Sequence, residues 1–323
     1  MTSLFKKFLG IALFCLLAAF VVNQRVLALD KKNSYALSHY IMGVISDDAG
    51  DFDKAIEEYK TALKADNESS VIHFNLAASY IKKNDTPSAI QELNLAIKLN
   101  PDSVEPHAIL ALLYSSQDKL DLAAKEYEEA LKSASKLQPK NVNIQKSLGA
   151  IYLQQKKLKD AEVAYKLITE LSPLDAEAHF YLGGIYNELK KNDSAEKELK
   201  RALELKPDYH EALNYLGYLY IEENKNLDQA EVMIKKAVQL QPENGAYIDS
   251  LGWLYFKKGR TKEAVVELEK ASAFLEDPVI YDHLGEVYKK LNDIEKARLN
   301  WEKSLKLDPS QNEVKEKLEI LKK

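Results

Sequence analysis

Apolar positions along the chain recur at intervals of three and four, the period of a helix with one buried face. Leu216, Gly217 and Tyr220 form one such stripe, and Ala195, Leu199, Ala202 and Leu203 form another. The stripes are short. Polar breakers separate them, as at Lys190-Lys191-Asn192-Asp193, and prolines close most of the pairs, as in Leu99-Asn100-Pro101, Leu205-Lys206-Pro207 and Leu307-Asp308-Pro309, though the first has Asn67 instead. Proline ends a helix because it lacks the amide donor and disfavours helical backbone in the residue before it. The pattern predicts paired helices joined by tight turns, and no strands.

The stripes are copies of one another. Ala55, Ala89, Ala123, Ala161, Ala195, Ala230, Ala264 and Ala297 recur at a nearly constant interval, widest between Ala123 and Ala161. A second series of small residues keeps the same phase: Gly43, Ala77, Ala111, Gly149, Gly183, Gly217, Gly252 and Gly285. Tyrosines follow three residues after the last seven of these, from Tyr80 to Tyr288. Such periodicity is the mark of a repeat architecture. A small residue on one helix facing an alanine on the next lets two backbones approach closely, and the tyrosine one turn on fills the gap beyond.

These residues resemble the tetratricopeptide repeat family, most fully at Leu251-Gly252, Tyr255, Ala264, Leu268 and Ala271. The resemblance implies an all-α, right-handed superhelical solenoid of about eight helix-turn-helix repeats over residues 36–311. A short lead-in occupies 29–35, and residues 312–323 form a charged C-terminal helix that caps the last apolar face. No linker interrupts the pattern, which reads as a single array. The third unit holds four extra residues between Ala130 and Pro139, about one helical turn, and is expected to lengthen its second helix. The sixth has one extra residue in the turn Glu223-Asn224-Lys225-Asn226, and the seventh is one residue short before Gly285.

The first 28 residues differ in kind. Lys6 and Lys7 precede an apolar run from Phe8 to Val22, and Val26-Leu27-Ala28 offers a cleavage site. This is the layout of a secretory signal peptide, and an uncleaved anchor formed by residues 8–22 is the alternative. Either way the expected location is outside the cytoplasm, periplasmic or extracellular, with a membrane tether in the second case. The one cysteine, Cys15, lies inside the run, so the remainder has no thiol for disulfides or thiolate metal sites. Loss of the segment removes three basic residues and takes the net charge from −5 to about −8. With no basic face, nucleic acid is not an expected partner.

No constellation for catalysis, metal or cofactor binding stands out. Glycine-rich phosphate loops, HExxH and nucleophile elbows are absent from the sequence, and the expectation is a chain that is not an enzyme. His39, His73, His107 and His179 share one slot, four residues before the small residue. They read as half-buried filling residues on helices too far apart to share a metal; a pH-sensing ladder is the sharper alternative.

The expected function is that of an exported scaffold or adaptor that binds a protein or peptide in the concave groove, in bacterial envelope assembly or secretion. A scaffold of an envelope polysaccharide export system is the alternative. On each first helix, a stripe beginning one residue after the small residue can face the groove. It yields Phe180, Gly184 and Asn187, then Asn214, Tyr218 and Ile221, then Asp249, Trp253 and Phe256. The expected contact surface is an aromatic patch of Tyr218, Trp253 and Phe256, with Phe180 alongside and Asn187, Asn214 and Asp249 as flanking hydrogen-bonding groups. The competing assignment packs Trp253 and Phe256 between repeats as core.

Overall fold

The computed structural model describes residues 34–321. These form seventeen helices and no strand. In chain order they are α1 (Ser34–Asp48), α2 (Phe52–Ala65), α3 (Ser70–Lys82), α4 (Thr86–Leu99), α5 (Val104–Ser116), α6 (Leu120–Leu137), α7 (Val142–Gln154), α8 (Leu158–Leu171), α9 (Ala176–Glu188), α10 (Asn192–Leu205), α11 (His210–Glu222), α12 (Leu227–Leu240), α13 (Gly245–Lys257), α14 (Thr261–Phe274), α15 (Pro278–Lys290), α16 (Ile294–Leu307) and α17 (Asn312–Leu321). The signal segment expected at 1–28, Cys15 within it, and most of the lead-in lie outside the described residues. Among those described, no helix is long and apolar enough to cross a membrane.

Local chemistry sets the helix ends. Asp51, Ser69, Asp85, Asp175, Asn244, Asp277 and Asp293 each accept a backbone N–H of the turn that follows, satisfying donors that a helix start leaves orphaned. First helices end in a left-handed residue, as at Asn84 with φ 59°. There Asn84 N–H donates to Ile81 O and Asp85 N–H to Tyr80 O, both at 2.9 Å, which closes the helix and turns the chain back. The extra residue of the sixth unit is accommodated by a second left-handed residue, since Asn224 and Asn226 both have positive φ. The four-residue insertion lengthens α6 to 18 residues, where other second helices have 14.

The chain divides after Ile151 into two compact units, where the uninterrupted sequence pattern reads as a single array. In the first unit, α1 packs on α2, α3 on α4 and α5 on α6. Its core contains Tyr40, Tyr59, Ile72 and Leu76, and further on Ala77, Leu93 and Leu110. In the second unit, α9 packs on α10, α11 on α12, α13 on α14 and α15 on α16, and the first helices α11, α13 and α15 also touch in succession. A continuous core runs from Ala195 to Trp301 and ends on Val314 of α17, with Leu318 and Leu321 packed against it.

The small-residue slots are tight, but their partner differs from the expected alanine side chain. A Cβ at Gly252 would lie 2.6 Å from Leu268 Cγ, one turn beyond Ala264, while Ala264 contributes its backbone oxygen at 3.2 Å. Gly183 meets Leu199 and Gly217 meets Ile234 in the same way. Alanine keeps the second helix close, and the large side chain four residues later fills the vacancy left by glycine.

Candidate functional site

The first helices of the second unit carry the residues singled out for partner binding, and the structure sorts them into three groups. Phe180 and Asn187 of α9 gather around Tyr215 of α11. The Phe180 ring stands edge-on to Tyr215 at 6.1 Å, and the Asn187 amide donates to the Tyr215 hydroxyl at 3.2 Å. Asn214 and Tyr218 of α11 face Asp249 of α13 across a cavity of about 240 Å³, which Ser250, Asp277 and Val279 help to line. Trp253 and Phe256 stack on one another at 5.1 Å along the same face.

Within the cavity the polar groups are unequal. Asn214 Oδ1 is buried without a hydrogen-bond partner. A buried acceptor left unpaired costs about 1–3 kcal/mol. Burial pushes the Tyr218 phenol above its ordinary range, and the neighbouring carboxylates Glu222 and Asp249 push the same way, so it remains a neutral hydroxyl at physiological pH. Asp249 is not the open flanking group expected of it. It is only 6% exposed, and its Oδ1 accepts from His283 Nδ1 at 2.9 Å.

Trp253 combines the two assignments considered for it. One face is covered by the His283 ring, 4.0 Å away and nearly parallel, and its indole N–H donates to Glu222 Oε1 at 3.3 Å. It therefore ties α11, α13 and α15 together. It nevertheless remains half-buried, as does Phe256, with Lys257 Nζ 4.7 Å from the indole centroid.

The stripe omits Tyr215, Asp277 and His283. Tyr215 sits one residue round the helix from Asn214, so a single stripe excludes it. His283 lies on α15, from which no contact residue is expected. Asp277 lies in the loop that is one residue short. That shortening is visible in the sequence before Gly285; that it brings Leu275 and Asp277 to the cavity is not.

The histidine slot, expected to be half-buried, is buried at His73, His107 and His179 and half-buried at His39, and each ring has a glutamate partner. Nδ1 of His73, His107 and His179 meets Glu92, Glu126 and Glu198 at 2.6, 2.7 and 2.6 Å, always 19 residues on. Each pair clips a first helix to the second helix of its own hairpin. Among the described residues no group of three or more His, Cys, Asp or Glu side chains could hold a metal ion.

Three family models, each described as a tetratricopeptide repeat, match the chain: one at residues 48–113 and 186–254, one at 110–173, and one at 247–273 and 279–311. Among solved structures, the anaphase-promoting-complex hetero-tetramer Cut9–Hcn1 is similar at 17% identity over 84% of this chain and 52% of that one, with a TM-score of 0.56. A tetratricopeptide repeat protein from Parabacteroides merdae ATCC 43184 aligns at 17% identity over 90% of this chain and 100% of that one, with a TM-score of 0.48. YrrB, described as a TPR protein with an unusual peptide-binding site, aligns at 20% identity over 59% of this chain and 95% of that one, with a TM-score of 0.41. A comparison with curated proteins gives no match.

Proposed function

Because the chain belongs to the tetratricopeptide repeat family, we propose that it is a non-catalytic scaffold whose second unit holds an extended segment of a partner protein against the face formed by α9, α11, α13 and α15. The observation that carries this is the cavity between α11, α13 and the start of α15, where Asn214 Oδ1 is buried and unpaired beside half-buried aromatic rings. Folded chains seldom leave such an acceptor empty, and a passing peptide backbone or side chain supplies the missing donor. Half-buried aromatics with a few polar groups are the make-up of an interface hot spot.

The test uses Asn214→Ala in the full chain. Removing a buried unpaired acceptor relieves its desolvation cost and offsets the packing lost with the side chain, so the variant should melt within about 0.5 kcal/mol of the parent or above it. Its affinity for a partner co-purified from the native source should fall by about tenfold. A lowered melting temperature with affinity retained would place Asn214 in the core and remove the site.

The scaffold is further proposed to act outside the cytoplasm, in envelope assembly or secretion. The support is the Lys6-Lys7 start and the Phe8–Val22 run. Mass spectrometry of the protein from its native source should find an N-terminus near Leu29. An intact Met1 on a chain recovered in the soluble cytoplasmic fraction would end this proposal.

A further inference from the structure

The chemistry of the cavity selects one kind of occupant. Resting on the reading of this face as the partner-binding surface, we propose that the cavity is a subsite for one basic side chain, lysine or arginine, of the bound segment.

The cavity's lining has acceptors to spare. Asp249 Oδ1 is used by His283, and Asp277 Oδ1 by the N–H of Val279 at 2.8 Å, so the second oxygen of each carboxylate remains. Asn214 Oδ1 has no partner at all. Of the lining hydroxyls, Ser250 donates to Ala246 O at 3.0 Å and Tyr215 accepts from the Asn187 amide at 3.2 Å. No lysine or arginine lines the cavity. Three acceptors, two of them anionic, between the rings of Tyr215 and Tyr218 match a group that is cationic, rich in N–H donors and able to lie against aromatic faces. At about 240 Å³ the space suits a single long side chain and falls below the roughly 300–1,000 Å³ of pockets for free small molecules.

The chain supplies its own example. Asp282 of α15 stands three residues before Gly285, as Asp249 stands three before Gly252. Asp282 receives Lys317 Nζ from α17 at 2.7 and 2.9 Å, and Glu286 accepts the same ammonium at 2.9 Å. The Trp301 ring lies 5.9 Å from that nitrogen. One slot in this protein thus already seats a lysine between carboxylates and an aromatic ring. The slot one hairpin earlier has the same carboxylate, but His283 stands at the place of Lys317, five residues into its helix, and takes one oxygen of Asp249, leaving the other to the cavity beside it.

The test selects phage-displayed random peptides of about a dozen residues on the immobilised full chain, then measures the enriched peptides by fluorescence anisotropy. The enriched set should share a lysine or arginine, and norleucine in its place should weaken binding at least about tenfold. Asp277→Asn, which removes charge but still caps α15, and Asp249→Asn should each weaken the basic peptide severalfold and leave the norleucine version unchanged. Enriched peptides with no shared basic residue, or with one indifferent to both variants, overturn the subsite; the binding face itself survives that result if Tyr218→Ala in a chain that still folds abolishes their binding. Failure to enrich any peptide, or enrichment of peptides indifferent to Tyr218→Ala, overturns the face and the subsite with it.

Discussion

Left-handed backbone at the end of each first helix falls on Gly50, Asn84, Asp118, Lys156, Lys190, Asn224, Gly259 and Asn292. Glycine takes this conformation without strain, and asparagine tolerates it. For lysine the side chain crowds the following carbonyl at a cost of about 1–2 kcal/mol. Lys156→Gly should therefore stabilise the chain by about 0.5–1 kcal/mol in urea unfolding, after the greater freedom of glycine in the unfolded state is subtracted. Lower stability would mean that Lys156 makes a contact worth more than its strain. At this scale the sequence is legible in kind more often than in partner. The histidine slot is visible as buried filling, and the glutamate 19 residues on is equally present to be read. Asp249 is recognisable as a groove-side carboxylate, whereas its pairing with His283, 34 residues away, depends on how two hairpins stack. No local spacing rule covers such a contact.

Neighbouring hairpins of the second unit are joined by a device that recurs between them. The cation that closes one turn lies over the tyrosine five residues before it and pairs with the glutamate that follows the alanine of the preceding second helix. Lys191 reaches Tyr186 and Glu162, Lys225 reaches Tyr220 and Glu196, and Arg260 reaches Tyr255 and Glu231, with ion pairs of 2.7, 2.8 and 2.9 Å. Tyr220 adds its hydroxyl to Glu196 at 2.9 Å. Burial raises the Glu196 and Glu231 carboxyls, but hydrogen bonds outweigh it. Lys200, Lys225 and Tyr220 act on Glu196, Lys235, Lys258 and Arg260 act on Glu231, and both pKa values are held down to about 2 from an ordinary 4.5. A carboxyl depressed in the folded state contributes stability that is complete above 4.5 and is lost as pH falls towards 2. Glu231→Gln should flatten the slope of stability against pH across that window, measured by urea midpoints at stepped pH. An unchanged slope would show the pairing to be solvent-screened and without consequence. The turn cations are legible as helix-ending charges; their role between hairpins is not, because it joins residues of successive repeats.

For the molecule as a whole, the fold is the most legible part, since the same local signals recur at nearly constant intervals and agree in phase. Helix pairs, turns, the long α6 and the α17 packed on the last pair follow from them. The proposed binding site is legible only as a stripe. Its cavity needs side chains from three helices and a loop one residue short, and no periodic pattern delivers that. If the face of first helices in the second unit holds the partner, a reactive group placed there must meet it, and one on the opposite helix layer must not. Photo-crosslinking from the full chain in a native extract separates the two, with p-benzoylphenylalanine at Tyr218 or at Val232, which is 70% exposed on the second helix α12. Cross-links to a partner protein should form from position 218 and not from 232. Cross-links from 232 with none from 218 would move the partner to the other face.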